Sequence, residues 1–201
     1  MARITDRDAL RARYGTVSAR AANKQVDRID DHVRLFLARS PMMFMATSDG
    51  ARVDVSPRGD RPGFVQAEDD AHVLVPDRPG NNRLDGLENI LANPHVGLIF
   101  VIPAEGWTLR INGPAEIRDD AALLARFEAE GRRPATVLRV RAEEIFLHCP
   151  RAFQRAGLWR PEEWPAKAAR PDIGQMLRAH AELAEAVDIE ALNETLKKGL
   201  Y

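Results

Sequence analysis

Ser40-Pro41-Met42-Met43-Phe44-Met45-Ala46-Thr47-Ser48-Asp49-Gly50-Ala51-Arg52-Val53-Asp54-Val55-Ser56-Pro57-Arg58-Gly59-Asp60 holds two short apolar runs, Met42–Ala46 and Arg52–Val55, on either side of Asp49-Gly50. Ser40-Pro41 stops any helix that precedes it, because proline lacks the backbone donor a helix needs and its ring clashes with the preceding turn. Short runs bounded by Asp-Gly and Arg-Gly-Asp suit strands joined by tight turns. The same pattern continues through Phe64–Gln66 and His72–Val75, with Glu68-Asp69-Asp70 as a further break. The expectation is a set of antiparallel strands.

Upstream, Thr5 to about Arg39 is helical in pattern: Thr5-x-x-Asp8 resembles a capping box, and Ile29, Val33, Phe36 and Leu37 recur at helical spacing. Downstream, Pro79-Gly80-Asn81-Asn82 punctuates the chain, and Leu84, Leu87, Ile90 and Leu91 form the apolar stripe of a helix ending near Asn93-Pro94. His95–Ile102 and Trp107–Arg118 read as two longer strands. A helix of about a dozen residues is expected from Asp119, and a strand over Ala135–His148. Prolines at 150, 161, 165 and 171 then break regular structure, and from about Asp172 a helical tail offers Leu177, Leu183, Val187, Ile189, Leu192 and Leu196 as contacts. About seven mostly antiparallel strands with inserted helices argue for a mainly β fold, a small barrel with helices outside. The expected divisions are an N-terminal helical segment (1–40), the barrel (41–160) and a C-terminal helical tail (161–201) that packs on the barrel or on a second subunit.

Composition narrows the function classes. The 201 residues are 45% hydrophobic and 29% charged, as in ordinary globular proteins. Twenty-nine Lys and Arg against thirty Asp and Glu leave a net charge of −1, so no global field draws the chain to nucleic acid or anionic lipid. The longest apolar run, Val96 to Pro103, is far shorter than the ~20 residues that span a bilayer. Cys149 is the sole cysteine, which excludes an internal disulfide and fits a reducing, cytoplasmic setting.

Several common catalytic devices are missing: no Gly-x-Gly-x-x-Gly, no phosphate loop ending Gly-Lys-Ser/Thr, no His-Glu-x-x-His and no Gly-x-Ser-x-Gly. The five histidines, at 32, 72, 95, 148 and 180, are scattered, so no metal site is expected. Two stretches carry usable chemistry. Val53-Asp54-Val55-Ser56-Pro57-Arg58-Gly59-Asp60 brings a hydroxyl, a guanidinium and a glycine to a strand end, a set that can bind phosphate or simply make a hairpin turn. Pro76-Asp77-Arg78-Pro79-Gly80-Asn81-Asn82-Arg83-Leu84 leads into a helix start, where free N–H groups and the dipole favour an anion and Arg83 is misplaced without one. His148 beside Cys149 reads either as a proton donor or thiol pair, or as a strand-end His and a buried Cys.

Ser56-Pro57-Arg58-Gly59-Asp60-x-Pro62-Gly63-Phe64, Pro76–Asp85, Asn93-Pro94-x-Val96-Gly97, Thr108-Leu109-Arg110-x-Asn112-Gly113 and His148-Cys149-x-x-Ala152-Phe153 together resemble the pyridoxamine 5′-phosphate oxidase-related FMN-binding split-barrel family, in its branch of FMN-dependent enzymes. The resemblance covers about Arg28 to Trp159. It implies an antiparallel split barrel and a homodimer with two FMN molecules at the interface. The strand carrying Val53, Asp54, Val55, Ser56, Pro57 and Arg58 would run along the flavin, with Pro76 and Asp77 also at the cofactor. Asn81, Asn82 and Arg83 match a phosphate-gripping stretch, although only Arg83 is cationic. Thr108 corresponds to a polar group near the flavin edge, and Arg155 and Trp159 to a late Arg and Trp supplied across the dimer. The implied activity is that of an FMN-dependent oxidoreductase acting on a small substrate, with NAD(P)H as a candidate donor. The Lys, Tyr, Arg and Ser that recognise pyridoxal-type phosphate have no counterparts; the only tyrosines are Tyr14 and Tyr201. No catalytic acid or base is identifiable. The alternatives are a flavin-storage or sensing protein without turnover, or a protein that holds haem, with His148 as ligand, or deazaflavin.

Overall fold

A computed structural model describes residues 3–200. In chain order the elements are α1 (Arg7–Tyr14), α2 (Ala19–Ala22), α3 (Asp31–Arg39), β1 (Met42–Ser48), β2 (Val53–Gly59), β3 (Gln66–Ala67), β4 (His72–Asp77) and α4 (Asp85–Ala92). They continue with β5 (His95–Val101), β6 (Thr108–Arg118), α5 (Ala121–Arg126), β7 (Thr136–Arg141), β8 (Glu144–His148), α6 (Arg151–Ala156), α7 (Ile173–His180) and α8 (Ile189–Lys197), with two short 3₁₀ turns between α6 and α7.

The strands form one antiparallel sheet in the order β2-β1-β5-β6-β7-β4-β3, with β8 on β6 off that path. Its two ends, β2 and β3, do not pair, so the sheet curls into a split barrel rather than a closed one. The split begins on β6, the longest strand. Thr108–Asn112 pairs with β8, whereas Ala115–Arg118 pairs with β7 on the same edge. Between them the chain bends at Ala142-Glu143, where the Ala142 N–H donates to the Ala71 carbonyl (2.8 Å) and the Glu143 N–H to the Asn112 carbonyl (2.9 Å).

That bend corrects the single strand expected over Ala135–His148. Glu143-Glu144 interrupts the apolar positions there, and the chain turns at that polar pair, so that β7 pairs with β4 and β6 while β8 pairs with β6. Other boundaries shift as well. The N-terminal helical stretch is three short helices, and the cap of α1 is Asp6, which accepts from the Ala9 N–H at 2.8 Å, not Thr5. The helix after Asp119 runs only from Ala121 to Arg126, and the strand near Phe64 shrinks to Gln66–Ala67. Helix α4 begins at Asp85 rather than near Asn82 and buries Gly86 and Ile90, leaving Leu84 and Leu91 exposed.

Alternation along the strands fills the interior. Met43 and Met45 of β1, Leu98 and Phe100 of β5, and Ile111 of β6 are fully buried. Ile29 joins them together with Val33 and Leu37 of α3, a helix that starts on the Asp30 carboxylate (2.9 Å from the Val33 N–H) and stops at Ser40-Pro41. Each such apolar side chain contributes ~1.5–3 kcal/mol on burial, which is what holds an open-ended sheet curled. Val26 adds a bridge to Ile145, covering the free edge of β8. No residue of α1 is buried, and in the tail Val187, Ile189 and Leu192 are half-buried while Leu177, Leu183 and Leu196 stay exposed. Among the described residues no helix is long and apolar enough to cross a membrane.

Candidate functional site

Among the described residues strand β2 pairs only with β1, and its period of two divides the expected flavin strand into two faces. Val53, Val55 and Pro57 point outward, Val53 and Val55 being 72% and 61% exposed. Asp54, Ser56 and Arg58 point to the other face and are half-buried. A methyl group added to Gly86 of α4 would lie 3.3 Å from the Asp54 carboxylate and 3.4 Å from the tip of Met45, so the first turn of α4 lies over the Asp54 end of this inner face. Thr47, buried on β1, is held by the Asn89 side-chain amide at 3.1 Å. Ser56 Oγ is buried and has no hydrogen-bond partner among the described residues. Such an atom costs roughly 1–3 kcal/mol and points to a missing polar neighbour.

The open seam of the barrel lies where the end of β2 faces the end of β4. Two ion pairs close it instead of a strand ladder. Arg58 binds Asp77, with side chains only 23% and 17% exposed, and Arg78 binds Asp60 at 2.6 Å while also donating to the Phe127 carbonyl at 2.7 Å. Each strand, with the residue just past its end, therefore supplies one cation and one carboxylate. Asp77 stands opposite Thr136 in the β4–β7 ladder, and Thr136 Oγ1 is a second buried hydroxyl without a partner. Pro76 is buried in β4. Within the protein the charge of Arg58 is already met by Asp77. Asp60, Arg78 and Thr136 were not legible as site residues, because only the topology brings the ends of β2 and β4 together.

The loop into α4 departs from expectation in its electrostatics. Asn82 and Leu84 take left-handed backbone conformations, and Leu84 caps α4 without any side-chain hydrogen bond. Asn81 is not a helix cap; its side-chain oxygen accepts from the Arg83 N–H at 3.1 Å. The Arg83 side chain is 74% exposed and donates to Asp85 at 2.8 Å. That hydrogen bond, the Asp85 charge and the more distant Asp54 charge raise its pKa above the ordinary guanidinium range. Arg83 is thus tied to Asp85 of the same chain.

Thr108 is buried at the start of β6, directly across from His148. The His148 ring lies 5.1 Å from that of Phe146, and its Nε2 is buried without a partner. Burial, then the charges of Arg110 and Lys24, push its pKa below the usual histidine value of 6.5. Cys149 is exposed, which corrects the buried-thiol reading. Trp159 stacks on Phe153 at 5.8 Å and donates through Nε1 to the Glu105 carbonyl of its own chain (2.9 Å). Together with Trp107 these residues line a shallow cleft of about 520 Å³ between the β5–β6 loop and α6. Arg155 is exposed on α6, outside the lining of that cleft.

The outer face continues the exposed side of β2. Phe44 stands opposite Pro57 and Ile99, and Ala46 opposite Val55 and Gly97, so apolar groups of three strands adjoin. At its far side Arg110 donates to Asn112 (3.0 Å) and Asn112 to Glu144 (2.7 Å). Elsewhere, Glu68, Asp69 and His72 come within ligand distance of one another, which the scattered histidines did not suggest. Arg139 bonds to Glu68 at 2.6 Å, and His72 Nδ1 lies 3.0 Å from Asp69, so the cluster is already internally paired.

A family model described as pyridoxamine 5′-phosphate oxidase matches residues 29–149. No curated protein matches the sequence. Among solved structures, HupZ from Group A Streptococcus aligns at 20% identity over 59% of this chain and 93% of its own, with a TM-score of 0.48. General stress protein 26 from Bacillus anthracis aligns at 13% identity over 58% and 93%, TM-score 0.45. An FAD-binding protein from Mycobacterium smegmatis aligns at 19% identity over 61% and 97%, TM-score 0.42.

Proposed function

Because the chain belongs to the pyridoxamine 5′-phosphate oxidase family, we propose that it is a flavin-dependent oxidoreductase that binds FMN against the inner face of β2 and the start of α4. The observation that carries this reading is the buried, unpartnered Ser56 Oγ two residues from the half-buried guanidinium of Arg58. A hydroxyl and a guanidinium on one strand face make a phosphate cradle, and the uncapped start of α4 adds free backbone N–H groups. Arg83 extends the cradle at its exposed end. Bound FMN would supply hydride chemistry at its ring, so this chain's task is to orient the ring and keep it from water rather than to donate an acid or base.

In this reading a second copy of the chain covers the outer face. Val53, Val55, Phe44 and Ile99 form an apolar surface that a monomer leaves in water. The homodimer also gives Arg155, exposed on α6, a partner to reach. NADH or NADPH is the proposed electron donor, and the substrate is a small molecule other than pyridoxamine phosphate. Haem ligation through His148 is the weaker reading. Its orphan Nε2 favours a ligand, yet that atom is buried, so a porphyrin iron does not reach it without movement of the surrounding chain.

The test is the visible spectrum of the purified protein, with and without added FMN, followed by extraction and mass identification of the chromophore. The expected result is oxidised FMN that bleaches on addition of NADH or NADPH faster than free FMN does. A protein that neither carries nor takes up flavin sinks the assignment.

A further inference from the structure

Arg58 is the inward cation of β2, and it is ion-paired with Asp77, at the end of a strand with which β2 forms no ladder among the described residues. Two buried hydroxyls without partners flank this pair, Ser56 Oγ on the same face of β2 and Thr136 Oγ1 opposite Asp77 in the β4–β7 ladder. The carboxylate satisfies the guanidinium and leaves both hydroxyls unmet. A tetrahedral dianion has enough oxygens for all three groups, which a carboxylate held on its own strand lacks.

We infer that Asp77 is a resident stand-in for a phosphate, a latch that a phosphorylated ligand displaces from Arg58. The inference rests on the phosphate-cradle reading of β2 and deepens it by naming what sets selectivity. With the latch shut, a ligand lacking a phosphate gains nothing from Arg58, whereas a phosphate monoester exchanges one anion for a more highly charged one and pairs the orphan hydroxyls. The apparent affinity for the ligand falls by the fraction of molecules with the latch open. The latch also closes the seam of the empty barrel, beside the second pair, Arg78 with Asp60. Asp77 is therefore a positioning residue, acting through Arg58 rather than on the flavin ring.

The experiment titrates the full-length protein with FMN and with riboflavin, followed by flavin fluorescence, in the wild type and in Asp77→Asn, Arg58→Gln and the double variant. Asp77→Ser is carried alongside and decides the matter if the Asn variant fails to fold. Removing the competing carboxylate is expected to tighten FMN binding roughly five- to tenfold, the scale of one charge-assisted contact, with riboflavin unchanged. In the Arg58→Gln background the Asp77 substitution should change nothing. FMN binding that is unchanged or weaker in the Asp77 variants overturns the latch, as does equal tightening of riboflavin. If the wild type binds neither flavin, the flavin reading fails separately. The latch is then judged by inorganic pyrophosphate, which must raise the melting midpoint of the Asp77 variant more than that of the wild type; equal shifts overturn it.

Discussion

Gly113→Ala tests the origin of the split. Gly113 lies on β6 between the residues that pair with β8 and those that pair with β7, where the bent ribbon of Arg141–Glu143 crosses the strand. A methyl group at this position would overlap the Arg141 carbonyl oxygen and come within 3.0 Å of the Arg141 carbonyl carbon and 3.2 Å of the Glu143 nitrogen. All three are backbone atoms, so no side chain can swing aside, and the ribbon must move off β6 by about 1 Å. The Glu143 N–H, now 2.9 Å from the Asn112 carbonyl, would then lose its bond, and the Ala142 N–H to Ala71 (2.8 Å) would be strained. One or two backbone hydrogen bonds at ~1 kcal/mol each, plus the packing cost of a forced shift, give a destabilisation of about 2–4 kcal/mol. For a chain of this size that is a fall in melting midpoint of roughly 5–15 °C. Urea denaturation and a thermal melt followed by circular dichroism measure both. A loss below about 0.5 kcal/mol would refute the claim that this crossing is close-packed and that Gly113 is what permits it.

Ser56→Ala should leave the flavin-free protein equally stable or slightly more so, because it removes a buried hydroxyl that has no partner; it should nevertheless weaken FMN binding about fivefold, measured by titration. His148 prefers its neutral form in the folded state, its pKa being held below 6.5 by burial and by the charges of Arg110 and Lys24. Below pH 6.5 the unfolded chain takes up a proton that the folded chain resists, so this group's stabilising contribution is present above that pH and is lost as pH falls through the folded value. His148→Gln should flatten that part of the acid limb of the stability profile, and an unaltered limb would count against the assignment. Val55→Asp, on the exposed outer face of β2, should sediment as a monomer where the wild type sediments as the proposed dimer, while retaining the barrel's circular dichroism; a variant that stays dimeric removes this face from the proposed interface.

Much of the barrel was legible because local signals and tertiary contacts agree. The run Met42–Ala46 is strand because alternate residues are buried, and Ser40-Pro41 ends α3 at the point where the chain turns into β1. Where they disagree the sequence misleads. Leu84 and Leu91 fit a helical stripe with Leu87 and Ile90, yet α4 touches the sheet only through the side that carries Gly86 and Ile90. Ala135–His148 reads as one strand by its apolar positions, yet the polar pair Glu143-Glu144 within it is where the ribbon turns from β7 to β8.

The sequence alone settled what depends on neighbours along the chain: strand or helix, the mainly β class, the lack of a global charge to attract nucleic acid, and motifs sufficient to identify the family. It also located Ser56, Arg58, Asp77 and Arg83 as the chemically distinctive positions. It could not say which of them face one another. Arg58 and Asp77 are nineteen positions apart, on the first and the next-to-last strands of the sheet order. Their pairing, and with it the orphaned state of Ser56 and Thr136, exists only because the sheet curls until β2 meets β4. A composition or a period records how each strand alternates between inside and outside; the energy of burying the shared interior decides which ends come together.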